Sequence, residues 1–277
     1  MTGFININKR EGVSSTYAVN RIKRLSKSPC GHMGTLDPLA SGVLPVGIGN
    51  ATRLFEYFLE KTKTYEAHFR FGVTTVSLDR ETELEFGGSI PTAQEIEAAL
   101  PQLLGEIDQV PPAYSAKFVD GKRSYELARQ GQEVDLKPKR VRIDAFRLLG
   151  QTAPDEFAFE IVCGGGTYIR ALARDLAAAL KTQGFMSALK RTKSGVFTEE
   201  TAVPIEALTA ENLADYVIPT EDVLPFPVLD ITDERLYHGL KIPCEVTDGL
   251  YKLYQGGSFY GLARVKEGQV KTEKKLC

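Results

Sequence analysis

The sequence predicts an α/β chain of the α+β class, in which helices flank a mixed, largely antiparallel sheet and a small β module follows. Three observations predict it. Strand-like and amphipathic helical segments alternate through residues 3–197. Residues 140–149 and 156–163 form two strand-like runs joined by a Pro-Asp turn, which is typical of an antiparallel pair. After a proline-containing linker, residues 229–277 hold only short β-like runs.

Each element of the first half follows from its own pattern. Period-two alternation predicts strands, and apolar residues three or four positions apart predict helices. The predicted elements are a strand at 3–8, a helix at 16–27, a buried strand at 42–49, a helix at 51–61 and a strand at 64–71. Ser14 and Ser15 precede the first helix as N-cap candidates. The second helix is expected to bury one apolar face, formed by Leu54, Phe55, Phe58 and Leu59.

The second half begins with a polar, acidic segment at 76–86, which we expect to be an exposed loop. Its further predicted elements are a helix at 92–104, a short helix at 125–129, the strand pair, a helix ending near residue 180, a strand at 185–196 and a mostly helical acidic segment at 204–222. Thr167 follows three glycines and is the expected N-cap of the helix that ends near residue 180. We place a large domain at 1–222 and the β module at 223–277.

Composition is ordinary for a soluble globular protein, with 43% hydrophobic and 25% charged residues among 277. No apolar run reaches the roughly 18 residues that a membrane span needs. The N-terminus lacks the apolar core of a signal peptide. We therefore expect a cytoplasmic protein that does not contact membranes, and nothing in the sequence implies a protein partner, so we expect a monomer.

The four cysteines are far apart and, with three histidines, show no spacing typical of a zinc site. We expect free thiols and no metal. The Gly-Ile-Gly-Asn-Ala-Thr run at 47–52 lacks the third glycine of a dinucleotide loop, so that interpretation is rejected. The three glycines before Thr167 are compatible with a phosphate-binding loop, but the lysine of a P-loop is absent.

Charge is unevenly distributed although the net charge is only −2. Basic residues cluster at 21–27, 137–147 and 190–193, whereas the ten charged residues from 194 to 234 are all acidic. One interpretation is a basic face for a polyanion and an acidic face turned away from it. The alternative is that the clusters are solvated and never converge.

The stretch from Gly31 to Gly49 holds a single carboxylate, Asp37, followed by Pro38 and surrounded by glycines. Proline disfavours helix in the residue before it, so Asp37 is expected in an extended, locally fixed loop that leads into the buried strand. Such a loop can hold a side chain at the floor of a cleft. On spacing alone, an aspartate that merely caps a turn is the alternative.

Several motifs carry a resemblance to a known family. They are GHMGTLDPLASGVLPVGIGNATR (31–53), KTYEAHFRFG (63–72), PPAYSAKFVDGKRSYELARQG (111–131), GGGTYIRALARDL (164–176) and LKRTKSGVF (189–197). In this order they resemble the tRNA pseudouridine synthases of the TruB type, which isomerise uridine 55 in the TΨC loop of tRNA. The chain departs from the family's pattern where Lys9 is followed by Arg10 instead of proline.

The resemblance implies a pseudouridine synthase fold around a catalytic cleft, with a PUA-like C-terminal module. It implies a tRNA TΨC stem-loop as substrate and neither a metal nor an organic cofactor. Asp37 is implied as the nucleophile, Arg170 as its ion-pair partner and Tyr65 as the ring that stacks on the uracil. Tyr168 and Leu189 are implied to line the base pocket. His32 is implied to fill the space that the flipped base leaves in the RNA.

Without the resemblance, three of these residues also have ordinary structural explanations. Tyr65 alone is a core aromatic, Arg170 a surface arginine and His32 a loop histidine that satisfies a turn. For the whole chain, an RNA-binding or tRNA-folding protein without chemistry suits the basic clusters equally. A glycosidase-like hydrolase is a third hypothesis, but the motifs offer no obvious second catalytic carboxylate.

Overall fold

The computed structural model describes residues 1–59, 61–115, 118–119, 121–132 and 134–276. Its strands are β1 (Gly3–Lys9), β2 (Cys30–His32), β3 (Ser41–Ile48), β4 (Lys63–Phe71), β5 (Val73–Thr74), β6 (Glu85–Phe86), β7 (Gly105–Gln109), β8 (Phe118–Val119), β9 (Lys122–Arg123), β10 (Lys139–Ala153), β11 (Glu156–Cys163), β12 (Gly184–Ser194), β13 (Phe197–Thr198), β14 (Val203–Pro204), β15 (Val228–Asp230), β16 (Ile242–Pro243), β17 (Gly249–Gln255), β18 (Ser258–Lys266) and β19 (Gln269–Lys275). Its α-helices are α1 (Ser15–Ser26), α2 (Phe55–Leu59), α3 (Ala93–Ala99), α4 (Ser124–Arg129), α5 (Ile169–Ala179), α6 (Thr220–Val223) and α7 (Glu234–Tyr237). Short 3₁₀ helices occupy Gly49–Leu54, Leu100–Leu103, Glu199–Thr201, Ile205–Ala207 and Leu213–Tyr216.

The large sheet runs in the order β14-β1-β3-β12-β4-β11-β10-β7, with β2 paired to β3 and β13 to β12. The β1–β14 and β3–β12 pairs are parallel and the other pairs are antiparallel. The mixed, largely antiparallel sheet predicted from the sequence is therefore confirmed, and so is the hairpin of β10 and β11. Because β3, β12 and β4 are neighbours, three segments that carry predicted site residues meet in the middle of the sheet.

The main core lies between this sheet and helices α1, α3 and α5, which contribute to one apolar cluster. Phe69 and Phe159 on neighbouring strands pack with ring centroids 4.9 Å apart. Fully burying such a side chain contributes about 1.5–3 kcal/mol. Ser14 caps α1 by accepting a hydrogen bond from the backbone N–H of Tyr17, as the sequence predicts.

The C-terminal module is a five-stranded sheet in the order β15-β17-β18-β19-β16 with its own apolar cluster. It also packs on the large domain, because Leu262 and Leu276 share a cluster with Phe4 of β1. Arg53 donates a hydrogen bond to the backbone oxygen of Lys275 at 3.0 Å. The predicted β character of the last part of the chain is confirmed.

Three helix predictions were wrong in length. Residues 51–61 divide into a 3₁₀ turn and the short α2, in which Phe55 is exposed rather than buried, and the Leu59 side chain lies outside the description. The segment 92–104 ends its α-helix at Ala99, since a proline-containing 3₁₀ turn follows. The segment 204–222 holds only short helical pieces. This segment has no continuous apolar stripe that would support a longer helix. It packs on the core through single buried residues, namely Ile205, Leu208 and Leu213.

Candidate active site

The loop of residues 33–40 connects β2 to β3, and several backbone contacts fix its course. The Ser15 hydroxyl on α1 accepts from the Leu36 N–H at 2.9 Å and donates to the Leu36 oxygen at 2.8 Å. The Gly12 N–H donates to the Pro38 oxygen at 2.9 Å. Asp37 does form a turn, because its carbonyl accepts from the Ala40 N–H at 3.0 Å. Its side chain is not used for capping and points to Arg170 instead.

Arg191 on β12 also contacts the loop of residues 33–40, and this arginine is only 1% exposed. Its guanidinium donates to the backbone oxygens of Val43 at 2.7 Å and Gly34 at 3.0 Å. Gly42 lets the backbones of β3 and β12 come close at this point, because it has φ +97° and a Cβ there would lie 2.3 Å from the backbone oxygen of Arg191. The sequence could have predicted that Arg191 faces the cavity, because it lies two residues after Leu189 on the same strand and so shares its face.

Lys9 is a second buried cation under the loop, with 0% exposure. Its ammonium donates to the backbone oxygens of Val13 at 2.7 Å, Arg10 at 3.1 Å and Pro38 at 3.3 Å. Burial lowers the pKa of Lys9 to about 8, although the nearby Asp37 charge opposes that shift. The departure at Arg10 therefore leaves the contact between Lys9 and the Asp37 loop in place.

Arg170 lies in the first turn of α5 and is 6% exposed, so it is not a surface arginine. Its Nε lies 3.0 Å from Oδ2 of Asp37, and its Nη1 lies 3.1 Å from Oδ2 of Asp79. Nη1 also donates to the Ser77 oxygen at 3.1 Å, and Nη2 donates to the Tyr114 oxygen at 2.9 Å. A buried guanidinium requires such partners, because an unpaired buried charge is costly.

The expectation of an exposed loop at 76–86 was wrong for its first part. Thr75, Ser77 and Asp79 are at most 2% exposed, whereas Val76 and Phe86 do face solvent. The Thr75 hydroxyl donates to the backbone oxygen of Asp79 at 2.6 Å. The side-chain Oδ1 of Asp79 accepts from the Glu81 N–H at 2.9 Å. Charge pairing with Arg170 thus overrides the polar composition of the segment. The sequence did indicate that a buried Arg170 would need a carboxylate partner. Residue spacing did not identify Asp79 as one of its partners.

Asp37, Tyr65, Tyr168, Leu189 and Arg170 line one cavity of about 580 Å³. The Asp37 side chain is 36% exposed, so the carboxylate remains accessible. Tyr65 and Leu189 are 7% and 8% exposed and belong to the core cluster as well as the cavity wall. Burial raises the pKa of Tyr65, with the Arg191 charge opposing, and burial also raises the pKa of Tyr168. Both phenols therefore remain protonated at neutral pH.

Models of known families match most of the chain. Residues 22–169 match the N-terminal domain of the TruB family pseudouridylate synthases, and residues 170–225 match the tRNA pseudouridylate synthase B C-terminal domain. The chain belongs to the TruB family. The two matches meet at the start of α5, so Arg170 is the first residue of the second match.

Curated relatives support the membership of the TruB family over the full length. A tRNA pseudouridine synthase B of Caulobacter sp. (strain K31) is 42% identical over 86% of this chain and 79% of the relative. The same enzyme of Clostridium perfringens (strain ATCC 13124) is 38% identical over 100% of this chain and 99% of the relative. Among solved structures, a chain of a Cbf5-Nop10-Gar1 complex has a TM-score of 0.74 and 25% identity, covering 99% of this chain and 85% of that chain.

His32 is the one residue implied by the TruB resemblance that does not line the cavity. It lies at the end of β2 and contributes to a neighbouring groove of about 330 Å³ with Thr16, Phe55 and others. Its Nδ1 is buried and has no hydrogen-bond partner among the described residues. Burial and then the Arg191 charge lower its pKa, so the imidazole is neutral at neutral pH.

The basic clusters are less available for RNA than the sequence suggests. Arg21 donates to the backbone oxygens of Ile205 and Leu208, and Arg191 is buried. Arg140 pairs with Glu106 at 3.0 Å. Lys190 pairs with Glu199, so the acidic segment is not remote from the basic one. The simple division into one basic and one acidic face was therefore wrong.

Two smaller expectations have mixed outcomes. Cys30, Cys163 and Cys244 are free thiols as expected, and Cys277 lies outside the described residues. Thr167 does not cap α5, because its hydroxyl donates to the Gly164 oxygen at 2.9 Å and the N-cap position is occupied by Tyr168.

No helix in the described part of the chain is long and apolar enough to cross a membrane. The motif at 111–131 is described except for Ala116, Lys117 and Asp120.

Removing the Asp79 carboxylate should destabilise the fold. Asp79→Ala leaves Arg170 buried with one carboxylate fewer, and breaking a buried pair costs about 3 kcal/mol of unfolding free energy. Glu106→Ala is the matched control, because its partner Arg140 is exposed and such a pair contributes less than about 1 kcal/mol. Urea unfolding of both variants measures the difference. Equal losses in the two variants would show that Asp79 does not stabilise Arg170.

Proposed function

We propose that this protein isomerises uridine to pseudouridine in tRNA, at position 55 of the TΨC loop. The observation that carries the proposal is the accessible Asp37 carboxylate, fixed by Arg170 at 3.0 Å on the wall of a cavity large enough for a flipped nucleotide. Relatives with the name tRNA pseudouridine synthase B support the same reaction and the same substrate class.

The reaction breaks the C1′–N1 bond of a uridine and forms a C1′–C5 bond. The detached uracil rotates before it is rejoined, the proton at C5 leaves, and N1 ends with a proton. Asp37 acts as the nucleophile that helps to detach the uracil or traps an intermediate. Three routes are open to this carboxylate: attack at C1′ of the sugar, attack at C6 of the base, or removal of the 2′ proton, in which it acts as a base instead of a nucleophile. Each needs the carboxylate held at a fixed angle, which the Arg170 contact provides.

The aromatic and aliphatic residues of the cavity provide the base pocket. Tyr65 stacks on the uracil and receives the C5 proton while its own phenolic proton passes to solvent, because the phenol is protonated at neutral pH. Tyr168 and Leu189 close the pocket around the ring. Because a base that is stacked within the RNA cannot enter the cavity that Asp37 lines, the target nucleotide must be flipped out of the RNA. His32, whose neutral ring lines the separate groove with Thr16 and Phe55, fills the space that the base leaves in the RNA.

Two other functions compete with this one. A tRNA-folding protein without chemistry would not need an accessible carboxylate held by a buried arginine, although folding activity can coexist with catalysis. A glycosidase needs a second carboxylate, and both Asp79 and Glu81 line the cavity with Asp37. Glu81 pairs with Arg129 at 3.6 Å, and release of tritium from uridine C5 separates the two reactions, because glycoside hydrolysis does not replace the C5–H bond. Both Asp79 oxygens are already engaged, by Arg170 and by the Glu81 N–H, so Asp79 is not available as a general acid.

The organisation that goes with this function is also a proposal. A catalytic domain comprises residues 1–222 and a PUA-like module residues 223–277. The protein works in the cytoplasm as a monomer on the TΨC stem-loop, without a protein partner, a metal or an organic cofactor. Release of tritium from tRNA labelled at uridine C5 tests the reaction itself, because only a route that replaces the C5–H bond gives release.

Asp37→Ala should abolish tritium release while tRNA binding stays nearly unchanged, because one short carboxylate contributes little to an interface dominated by phosphates. Asp155→Ala is the matched control, since Asp155 is also a partly buried partner of an arginine, Arg70, but lies away from the cavity. Retention of a tenth or more of the wild-type rate in Asp37→Ala would remove Asp37 from the nucleophile role.

The two roles of Tyr65 can be separated by substitution. Tyr65→Phe keeps the ring and should bind tRNA well but turn over poorly, because proton acceptance is lost. Tyr65→Leu should lose stacking as well, which contributes about 1–3 kcal/mol for an aromatic–base contact. Single-turnover rates and tRNA affinities of both variants give the answer. A wild-type rate in Tyr65→Phe would show that the hydroxyl has no chemical role.

Arg170→Lys should be severely impaired although the positive charge is kept. The guanidinium reaches Asp37, Asp79 and two backbone oxygens at once, and an ammonium cannot reproduce that planar set. The expected loss of kcat is about a hundredfold or more, by analogy with other misplaced catalytic groups. Activity within a few-fold of the wild type would mean that the site needs only a positive charge at residue 170.

A further inference from the structure

The side chain of Gln109, the last residue of β7, is buried against the start of α5 and is 1% exposed. Its amide nitrogen donates to the backbone oxygen of Tyr168 at 3.1 Å, and its amide oxygen accepts from the Tyr168 N–H at 2.8 Å. The Tyr168 N–H can only donate and its oxygen can only accept, so the orientation of the glutamine amide is fixed by its partner.

This contact lies at the N-terminus of a helix. Helix α5 begins at Ile169 and its N-cap residue, Tyr168, makes no side-chain capping bond. The Tyr168 oxygen also accepts from the Leu172 N–H in the first turn, at 3.2 Å. Gln109 therefore restrains the backbone from which the Tyr168 ring enters the cavity, two residues before Arg170.

The same helix holds the chain that follows Gln109. Arg174 donates to the Val110 oxygen at 2.9 Å, and Arg170 donates to the Tyr114 oxygen at 2.9 Å. Together with the Gln109 amide, these contacts fasten residues 109–114 along the N-terminal half of α5. Gln109 is the first of the three attachments and the only one of them that acts on the helix backbone.

We propose that Gln109 is a positioning residue for the reaction, which sets Tyr168 in the cavity wall and aligns Arg170 with Asp37 through the backbone of α5. This inference rests on the proposed isomerisation. A displaced guanidinium would present Asp37 at a different angle, and small displacements of catalytic groups reduce rates strongly. Binding of tRNA depends on many phosphate contacts and should change little.

Gln109→Met tests the proposal, because methionine has a similar length and cannot make either hydrogen bond. The control is Gln151→Met, since the Gln151 amide donates to the Pro154 oxygen in an exposed hairpin far along β10. The single-turnover rate with enzyme in saturating excess should fall by about tenfold to a hundredfold in Gln109→Met and stay within about twofold in Gln151→Met. A partly unfolded sample lowers the active-site concentration and leaves this rate constant unchanged, so a merely structural role would not move it.

Gln109→Glu provides a second, independent readout. A protonated glutamic acid at residue 109 can donate to the Tyr168 oxygen and accept from its N–H, as glutamine does. After ionisation, a carboxylate oxygen faces the Tyr168 oxygen and the donor is lost. The ratio of the variant's rate to the wild-type rate should therefore fall as pH rises through the pKa of Glu at this position.

The charged and titratable groups around residue 109 do not produce such a profile. Lys139 faces it in register on β10, Arg174 lies on α5, and the Tyr168 pKa is raised by burial. These groups, and Asp108 on β7, are the same in the wild type and in the variant, so their own effects cancel in the ratio of the two rates. A pH-dependent ratio therefore reports on the introduced carboxyl group.

The outcomes distinguish this inference from the function on which it rests. If the wild type forms no pseudouridine, the proposed function fails. If the wild type is active and Gln109→Met matches Gln151→Met, or the Gln109→Glu ratio is flat with pH, the positioning role is overturned. Failure of both Gln109 variants to fold would make Gln109 a purely structural residue and would overturn the proposal too.

Discussion

The buried guanidinium of Arg170 is the interaction on which the rest of the site depends. A charge that is 6% exposed requires acceptors, and Arg170 takes them from three separate segments of the chain. Asp37 comes from the loop before β3, Ser77 and Asp79 from the segment after β5, and Tyr114 from the segment after β7. One side chain thus fastens three loops to α5, and the catalytic geometry and the stability of the fold share the same contacts.

Four buried cations lie at the wall of the cavity or beneath it, and each is at most 6% exposed. Lys63, Arg170 and Arg191 line the cavity with Asp37, and Lys9 contacts the Asp37 loop. Burial lowers the pKa of Lys63 to about 8, as it does for Lys9, so both remain largely charged at neutral pH. Lys9 and Arg191 also hold the Asp37 loop by donating to its carbonyl oxygens, at Pro38 and Gly34 respectively.

Local patterns were sufficient for the strands and for the residues inside motifs. The sheet, the hairpin, and the meeting of Asp37, Tyr65, Tyr168, Arg170 and Leu189 all followed from the sequence and the resemblance. Asp79, Gln109 and Tyr114 were missed, because their importance lies in what they contact after folding and no spacing in the chain reveals it. The helix at 51–61 and the cap at Thr167 were wrong because side-chain and turn contacts at 49–52 and 164–168 took precedence over propensity.

We propose that the carboxylate held by Arg170 carries the conversion of one uridine of tRNA to pseudouridine. The most direct measurement maps pseudouridine by chemical derivatisation and reverse transcription in unmodified tRNA after incubation with the wild type and with Asp37→Ala. We expect one new pseudouridine, at position 55 of the TΨC loop, with the wild type and none with the variant. No pseudouridine in the wild-type reaction, or the same pseudouridine with the variant, would contradict it.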